Sequence, residues 1–122
     1  MTGDLKYDLK NDLTIESLKV FDTNVIRLCG DLTWLGEQVL KTAFHAAVES
    51  GTNILVDLSR VTAIDTSGIA VLIMVVMETD KQRRKILVSG ISPQYKNIFE
   101  LVRFSLYAPI FDTEENALTS LG

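Results

Sequence analysis

The sequence predicts a single α/β domain built on a mixed sheet of four to five strands with about four helices. Three observations carry this. ILVDL at 54–58 is a short, continuous apolar run with the composition of a central strand buried on both faces, and KILVS at 85–89 reads as the next strand. The segment between them, 67–80, has the length of a helix, and two parallel strands need such a crossover. Finally, Leu40, Ala43, Phe44 and Ala47 recur at i, i+3, i+4 and i+7, which is one face of a helix ahead of the first run.

In chain order, residues 1–12 alternate charge and Leu without a period and read as a loose lead-in, with the domain proper at 13–122. Strands are expected at about 14–21 and 24–29, joined by Asp22, Thr23 and Asn24 as the turn. Gly30-Asp31-Leu32-Thr33 breaks the pattern, with Thr33 as N-cap and Glu37 early in a helix that runs to about Glu49. Ser50-Gly51 ends it. After ILVDL, residues 59–62 read as a connector, and a helix is expected over about 67–80. Its β-branched residues alone would favour a strand. Ser92 and Pro93 open the next helix, whose apolar stripe is Ile98, Leu101 and Val102. A short extended piece near Ala108–Phe111 precedes a last helix capped by Asp112 and carrying Glu114, Glu115 and Leu118.

The bulk numbers narrow the function. The chain has 122 residues, 47% of them hydrophobic and 23% charged, enough for a packed core without disulfides. Its net charge of -4 argues against nucleic acid as the main partner. Cys29 is the single cysteine, so a reducing compartment is expected. The longest apolar run, Ile69–Met77, is less than half the roughly 20 residues that span a bilayer, so no direct membrane insertion is expected. The opening MTGDLKYDLKNDL is polar and unlike a signal peptide. The expectation is a cytoplasmic protein.

Few residues can carry catalysis. His45 is the one imidazole and falls with Lys41, Gln38 and Glu49, off the apolar face. Without it no Ser–His pair forms. No leading Gly makes a G-x-S-x-G elbow, and no spacing suits a metal or a nucleotide loop. Cys29 has only Arg27 nearby and reads as structural. No cofactor is expected, and the chain is expected not to be an enzyme. What remains is AIDTSGIAVLIMVVME, residues 63–78, where Thr66 and Ser67 sit between Asp65 and Gly68 at the mouth of a greasy segment. Two readings stay open there. A hydroxyl or carboxylate caps the helix, or an exposed hydroxyl is a modification target, since a phosphate at a helix N-terminus is tolerated by the fold.

These residues resemble a known family. VDLSRVTAIDTSGIAVLIMVV is similar to the signature of the STAS domain of bacterial anti-sigma-factor antagonists: a buried strand ending in Asp-Leu-Ser, a short connector, then Asp-Ser/Thr-Ser-Gly opening a hydrophobic helix. Cys29-Gly30-Asp31-Leu32 resembles the family's turn before the first helix, and the stretch from Lys85 to Leu118 resembles its second half, so the likeness runs from about residue 13. The resemblance implies that the second hydroxyl, here Ser67 with Thr66 as the fallback, is phosphorylated by a serine kinase that is itself the anti-sigma factor. A serine phosphatase resets it, and transcription is regulated by partner switching. Two departures stand out: Thr66 where Ser is usual, and Trp34 after the Gly-Asp-Leu-Thr turn, either packed on the sheet edge or exposed to a partner. The same domain also serves as a small cytoplasmic subunit of lipid-transport ABC systems and as a scaffold of stress-sensing complexes, which is the alternative reading.

Ile69, Leu72, Ile73 and Val76 form one face of the helix after Ser67, and Val71, Met74 and Val75 point elsewhere. Either a neighbouring helix covers these three or they face a partner. The expected partner surface is Gly30, Asp31, Thr33, Ile64, Asp65, Thr66, Ser67, Gly68, Val71, Met74 and Val75. Lys81, Arg83, Arg84 and Lys85 form a basic cluster that suits a helix C-terminus.

Overall fold

The computed structural model describes residues 13–80 and 85–121. The lead-in 1–12 and Lys81, Arg83 and Arg84 of the basic cluster lie outside them. The elements are β1 (Leu13–Val20), β2 (Thr23–Leu32), a 3-10 turn (Trp34–Gly36), α1 (Glu37–Glu49), β3 (Asn53–Ile64), α2 (Thr66–Asp80), β4 (Ile86–Ser89), α3 (Pro93–Leu101), a second 3-10 turn (Phe104–Leu106), β5 (Ile110–Phe111) and α4 (Glu114–Leu121). They form one five-stranded mixed sheet in the order β1-β2-β3-β4-β5, with β1–β2 antiparallel and the other pairs parallel.

Alternation along the strands sends side chains to two faces. Ile26, Leu28, Ile54, Val56, Leu58, Ile86 and Val88 meet α1, α2 and α3 in the main core. Val25, Leu55 and Leu87 meet Ala117 of α4 in a smaller one. The run 54–58 is buried throughout, as a central strand covered on both faces should be. Helix α2 buries Ile69, Val71, Leu72, Val75 and Val76, each contributing about 1.5–3 kcal/mol relative to exposure.

Several expectations are corrected. The β1–β2 turn is Phe21-Asp22, since Thr23 already pairs with Val20 and Asn24 with Lys19; Phe21 takes the left-handed conformation (φ 54°) that lets the hairpin close in two residues. Gly30-Asp31-Leu32 does not end its strand. The register slips between Arg27 and Cys29 and again between Gly30 and Asp31, so Gly30 (φ 103°) is a bulge and the strand continues beyond it. The connector 59–62 is likewise strand, the polar extension of β3 that pairs with the end of β2. Cys29 is exposed, not packed as a structural thiol.

In α3 the predicted stripe faces outward: Leu101 is 81% exposed, and Ile98 and Val102 are also open. Phe99 takes the core position instead, with its ring edge-on to Phe104 at 5.1 Å and Tyr95 packed nearby. The cap of α4 is Thr113, whose Oγ1 accepts the Asn116 amide at 3.1 Å, while Asp112 sits 3.6 Å from Lys96. Ser92 is extended ahead of Pro93, but its side chain makes no capping hydrogen bond.

The smaller face carries a polar row. Glu16, Arg27, Asp57 and Ser89 are register neighbours across four strands. Arg27 donates to both oxygens of Glu114 (2.7 and 3.0 Å) and to Glu16 (3.1 Å). Buried Asp57 accepts from Ser59 (2.6 Å) and Ser89 (2.8 Å). The row fastens the start of α4 to the sheet. Hydrogen bonding from Arg27 lowers the pKa of Glu114, so its contribution is present above the ordinary carboxylate value and lost as pH falls through the lowered one. We expect Glu114→Gln to flatten the acid limb of the melting temperature below about pH 4.3; an unchanged acid limb would show that α4 does not depend on this pair.

Candidate functional site

The site forms where the ends of β2 and β3 meet the start of α2. Asp65 is the residue before α2, and its Oδ1 accepts the Gly68 amide at 2.8 Å, satisfying one of the helix's free donors. The same Oδ1 accepts the Ser67 hydroxyl at 2.7 Å. Ser67 Oγ in turn accepts the Trp34 amide at 2.9 Å. The capping and target readings therefore fall on different residues: Asp65 caps, and Ser67, half-buried, is held between Asp65 and Trp34.

Gly68 is fixed by contact. A Cβ there would lie 2.0 Å from the Leu32 carbonyl oxygen, so the helix start presses directly on the end of β2. The Asp65 amide also donates to that carbonyl, at 3.4 Å. On the flanks, Thr62 donates to Asp31 Oδ1 at 2.7 Å, and the Ile64 amide donates to the Tyr95 hydroxyl at 3.3 Å. Thr33 caps the 3-10 turn, its Oγ1 accepting the Leu35 amide at 3.2 Å.

Most of the expected residues thus gather in one place: Gly30 and Asp31 on the bulged end of β2, Thr33 at the turn, Ile64 at the end of β3, and Asp65, Thr66, Ser67 and Gly68 at the helix mouth. Thr66 is exposed. Val71 and Val75 do not join them as open surface. They are 6% and 2% exposed, inside the main core, with α1 packed against α2. Met74 is half-buried against that core. A helix apolar on all sides had to be covered on most of them, and α1 supplies the cover.

The residues that single-position reading passed over are Leu35 and Val39. With Trp34 they are 48%, 42% and 63% exposed, so the turn that bonds Ser67 and the first turn of α1 carry open apolar surface. Their spacing does not match the Leu40/Phe44/Ala47 face, and that was the available signal. Tyr95 was also missed; nothing in its local sequence points to Ile64.

The electrostatics centre on Asp65. The Ser67 hydroxyl, then the Gly68 amide, hold its carboxyl below the usual carboxylate range. Removing the larger cause should undo much of this. In Ser67→Ala the titration midpoint of Asp65, followed by its carboxyl carbon shift, is expected to rise toward the ordinary value; an unmoved midpoint would mean that the hydroxyl does not point at Asp65 in solution.

Among the described residues no group of three His, Cys, Asp or Glu could hold a metal ion, and no helix is long and apolar enough to cross a membrane. His45 is on the surface, 3.6 Å from Glu49. A groove of about 720 Å³ between α1 and α2 is lined by Phe44, Val48, Val75 and Glu78 among others and does not include Ser67.

A five-stranded sheet with three helices on one face, one on the other, and a Ser-Gly helix mouth at the strand ends defines a STAS-type fold. Solved structures agree. An anti-sigma factor antagonist from Mycobacterium paratuberculosis superposes with TM-score 0.76 at 20% identity, over 88% of this chain and 92% of that one. The Bacillus cell fate determinant SpoIIAA in its phosphorylated form gives 0.67 at 20% identity, over 90% and 99%. A murine anion transporter of solute carrier family 26, in its inward-facing state, contains the same fold in a much longer chain: TM-score 0.64, 18% identity, 84% of this chain and 18% of that one. The sequence itself matches the family model described as "Mlab, STAS domain" over residues 17–106, and the chain belongs to the STAS family.

Proposed function

We propose that this domain is an anti-sigma-factor antagonist: a cytoplasmic binding protein, not a catalyst, that engages a cognate anti-sigma serine kinase and is released when Ser67 is phosphorylated, so that transcription is regulated by partner switching. The carrying observation is the Ser67 hydroxyl. It lies half-exposed at the mouth of α2, in the second hydroxyl position of Asp-Thr-Ser-Gly, held by Asp65 and the Trp34 amide. A structural relative described in its phosphorylated form supports the same chemistry. Thr66, more open to solvent, is the fallback target.

In this reading Trp34, Leu35 and Val39 supply the apolar contact, and Gly30, Asp31, Thr33 and Ile64 frame it. A phosphate at Ser67 supplies the veto, since its charge would be buried unpaired in the complex. A serine phosphatase resets the cycle. The test is incubation with candidate kinases and ATP, read by mass. One phosphate addition that is lost in Ser67→Ala supports the proposal, and no addition with any of several candidates sinks it.

The second reading is the small STAS subunit of a lipid-transport ABC system, and the Mlab description of the matching family model favours it. Co-purification with an ABC ATPase, without phosphate on Ser67, would select it.

A further inference from the structure

The turn Trp34–Gly36 has few ties. Within itself, the Leu35 amide bonds Thr33 Oγ1 at 3.2 Å and the Gly36 amide bonds the Thr33 carbonyl at 3.0 Å. Its hydrogen bond to α2 is the Trp34 amide on Ser67 Oγ, at 2.9 Å. The turn joins α1 through the Glu37 amide on the Trp34 carbonyl, and the bond to Ser67 Oγ fixes the end that carries exposed Trp34 and Leu35.

We propose that phosphorylation of Ser67 acts by unseating this turn as well as by adding charge, so that the Trp34–Leu35 surface is the moving half of the switch. This rests on the reading of Ser67 as the modified residue.

The chemistry gives the reason. The γ-phosphoryl group of a nucleoside triphosphate passes to Oγ: the Oγ–P bond forms, the bond from phosphorus to the β-phosphate's bridging oxygen breaks, the nucleoside diphosphate leaves, and the hydroxyl proton goes to solvent. Before transfer Oγ donates its proton to Asp65 and accepts from Trp34. Afterwards it has no proton to give, and as an ester oxygen it is a poor acceptor. The strong acceptors are now the terminal phosphoryl oxygens, one bond further out, carrying about -1.5 to -2 charge. Asp65 cannot readily swing away from that charge, because the same Oδ1 holds the Gly68 amide. The Trp34 amide must follow the phosphoryl oxygens or bond water. Toward the sheet, buried Gly36 faces the Leu13 side chain, where a Cβ would lie 2.7 Å from Cδ2, so a retreat there would have to displace a packed side chain. It moves outward.

The experiment needs no kinase. Phosphoserine is placed at position 67 by genetic-code expansion, and residual dipolar couplings of the Trp34, Leu35 and Gly36 amides are compared with those of the parent. Couplings of the strands and of α1 report that the fold is intact. We expect the three turn amides to depart from the parent geometry while the rest fits it. Ser67→Asp, measured the same way, serves if the phosphoprotein does not fold. In Ser67→Ala the Trp34 amide should exchange about tenfold faster, the scale of one lost hydrogen bond. Turn couplings that fit the parent geometry in the modified protein overturn the inference and leave the charge veto standing. A domain that no kinase phosphorylates overturns the earlier reading and leaves these couplings unaffected.

Discussion

Gly68→Ala is expected to destabilise the domain by about 3 kcal/mol, the upper range for overpacking a tight contact. The added methyl would sit 2.0 Å from the Leu32 carbonyl oxygen and 3.1 Å from Leu32 Cγ. The nearest atom is backbone at the last pair of a parallel ladder, where Leu32 is in register with Ile64, so it cannot rotate aside like a side chain. The helix start must lift off the strand end, which stretches the Asp65–Gly68 and Asp65–Leu32 hydrogen bonds together. Thermal denaturation should show a fall on the order of 10 °C. A fall of only a degree or two would mean that α2 slides along the sheet with little cost, and that the close approach is not what places Ser67. The two effects are separable: Ser67→Ala leaves the glycine contact intact and should melt close to the parent.

Under the proposed function, Ser67→Asp is expected to weaken binding to the proposed kinase partner by at least tenfold, with little loss of stability. A new carboxylate beside Asp65, under a covering partner, is a buried charge without a counterion, and one to several kcal/mol is the usual scale of that penalty. Since about 1.4 kcal/mol is a tenfold change, even the low end is visible in a titration. Ser67→Thr keeps the hydroxyl and should bind within a fewfold of the parent. If Ser67→Asp binds as tightly as the parent, position 67 lies outside the contact, and Thr66 becomes the position to test.

How far the sequence alone reached can be seen element by element. Buried strands announced themselves because burial on both faces leaves a continuous apolar run, as at 54–58 and 86–89. The helix mouth was legible because capping is local: Asp65, Ser67 and Gly68 are neighbours in the chain, so their chemistry can be read from spacing. The Trp34 amide was not legible as Ser67's partner. It lies 33 residues away and is a backbone group, which no side-chain pattern reports.

Side-chain periodicity also misled where coverage decides. The same apolar pattern put Val71 and Val75 outside and Ile98, Leu101 and Val102 inside, and packing reversed both. Periodicity says which residues share a face, but neighbours decide which face is wet. Gly30 illustrates a third limit. A glycine after a strand-like run reads as a stop, and only the slipped register shows that it bends a strand that continues.

The strand order has a consequence for how the molecule is made. Each strand hydrogen-bonds the one before it in the chain, from β1 through β5, with no later strand inserted between two earlier ones. A nascent chain can therefore build its sheet in the order in which it leaves the ribosome, adding each strand to an edge already formed. The serine at the mouth of α2 is framed by β2, β3 and the turn before α1, all of them made before it. Its partners on β2, β3 and the turn can be in place as soon as α2 emerges, and Tyr95 of α3 joins the Ile64 flank later.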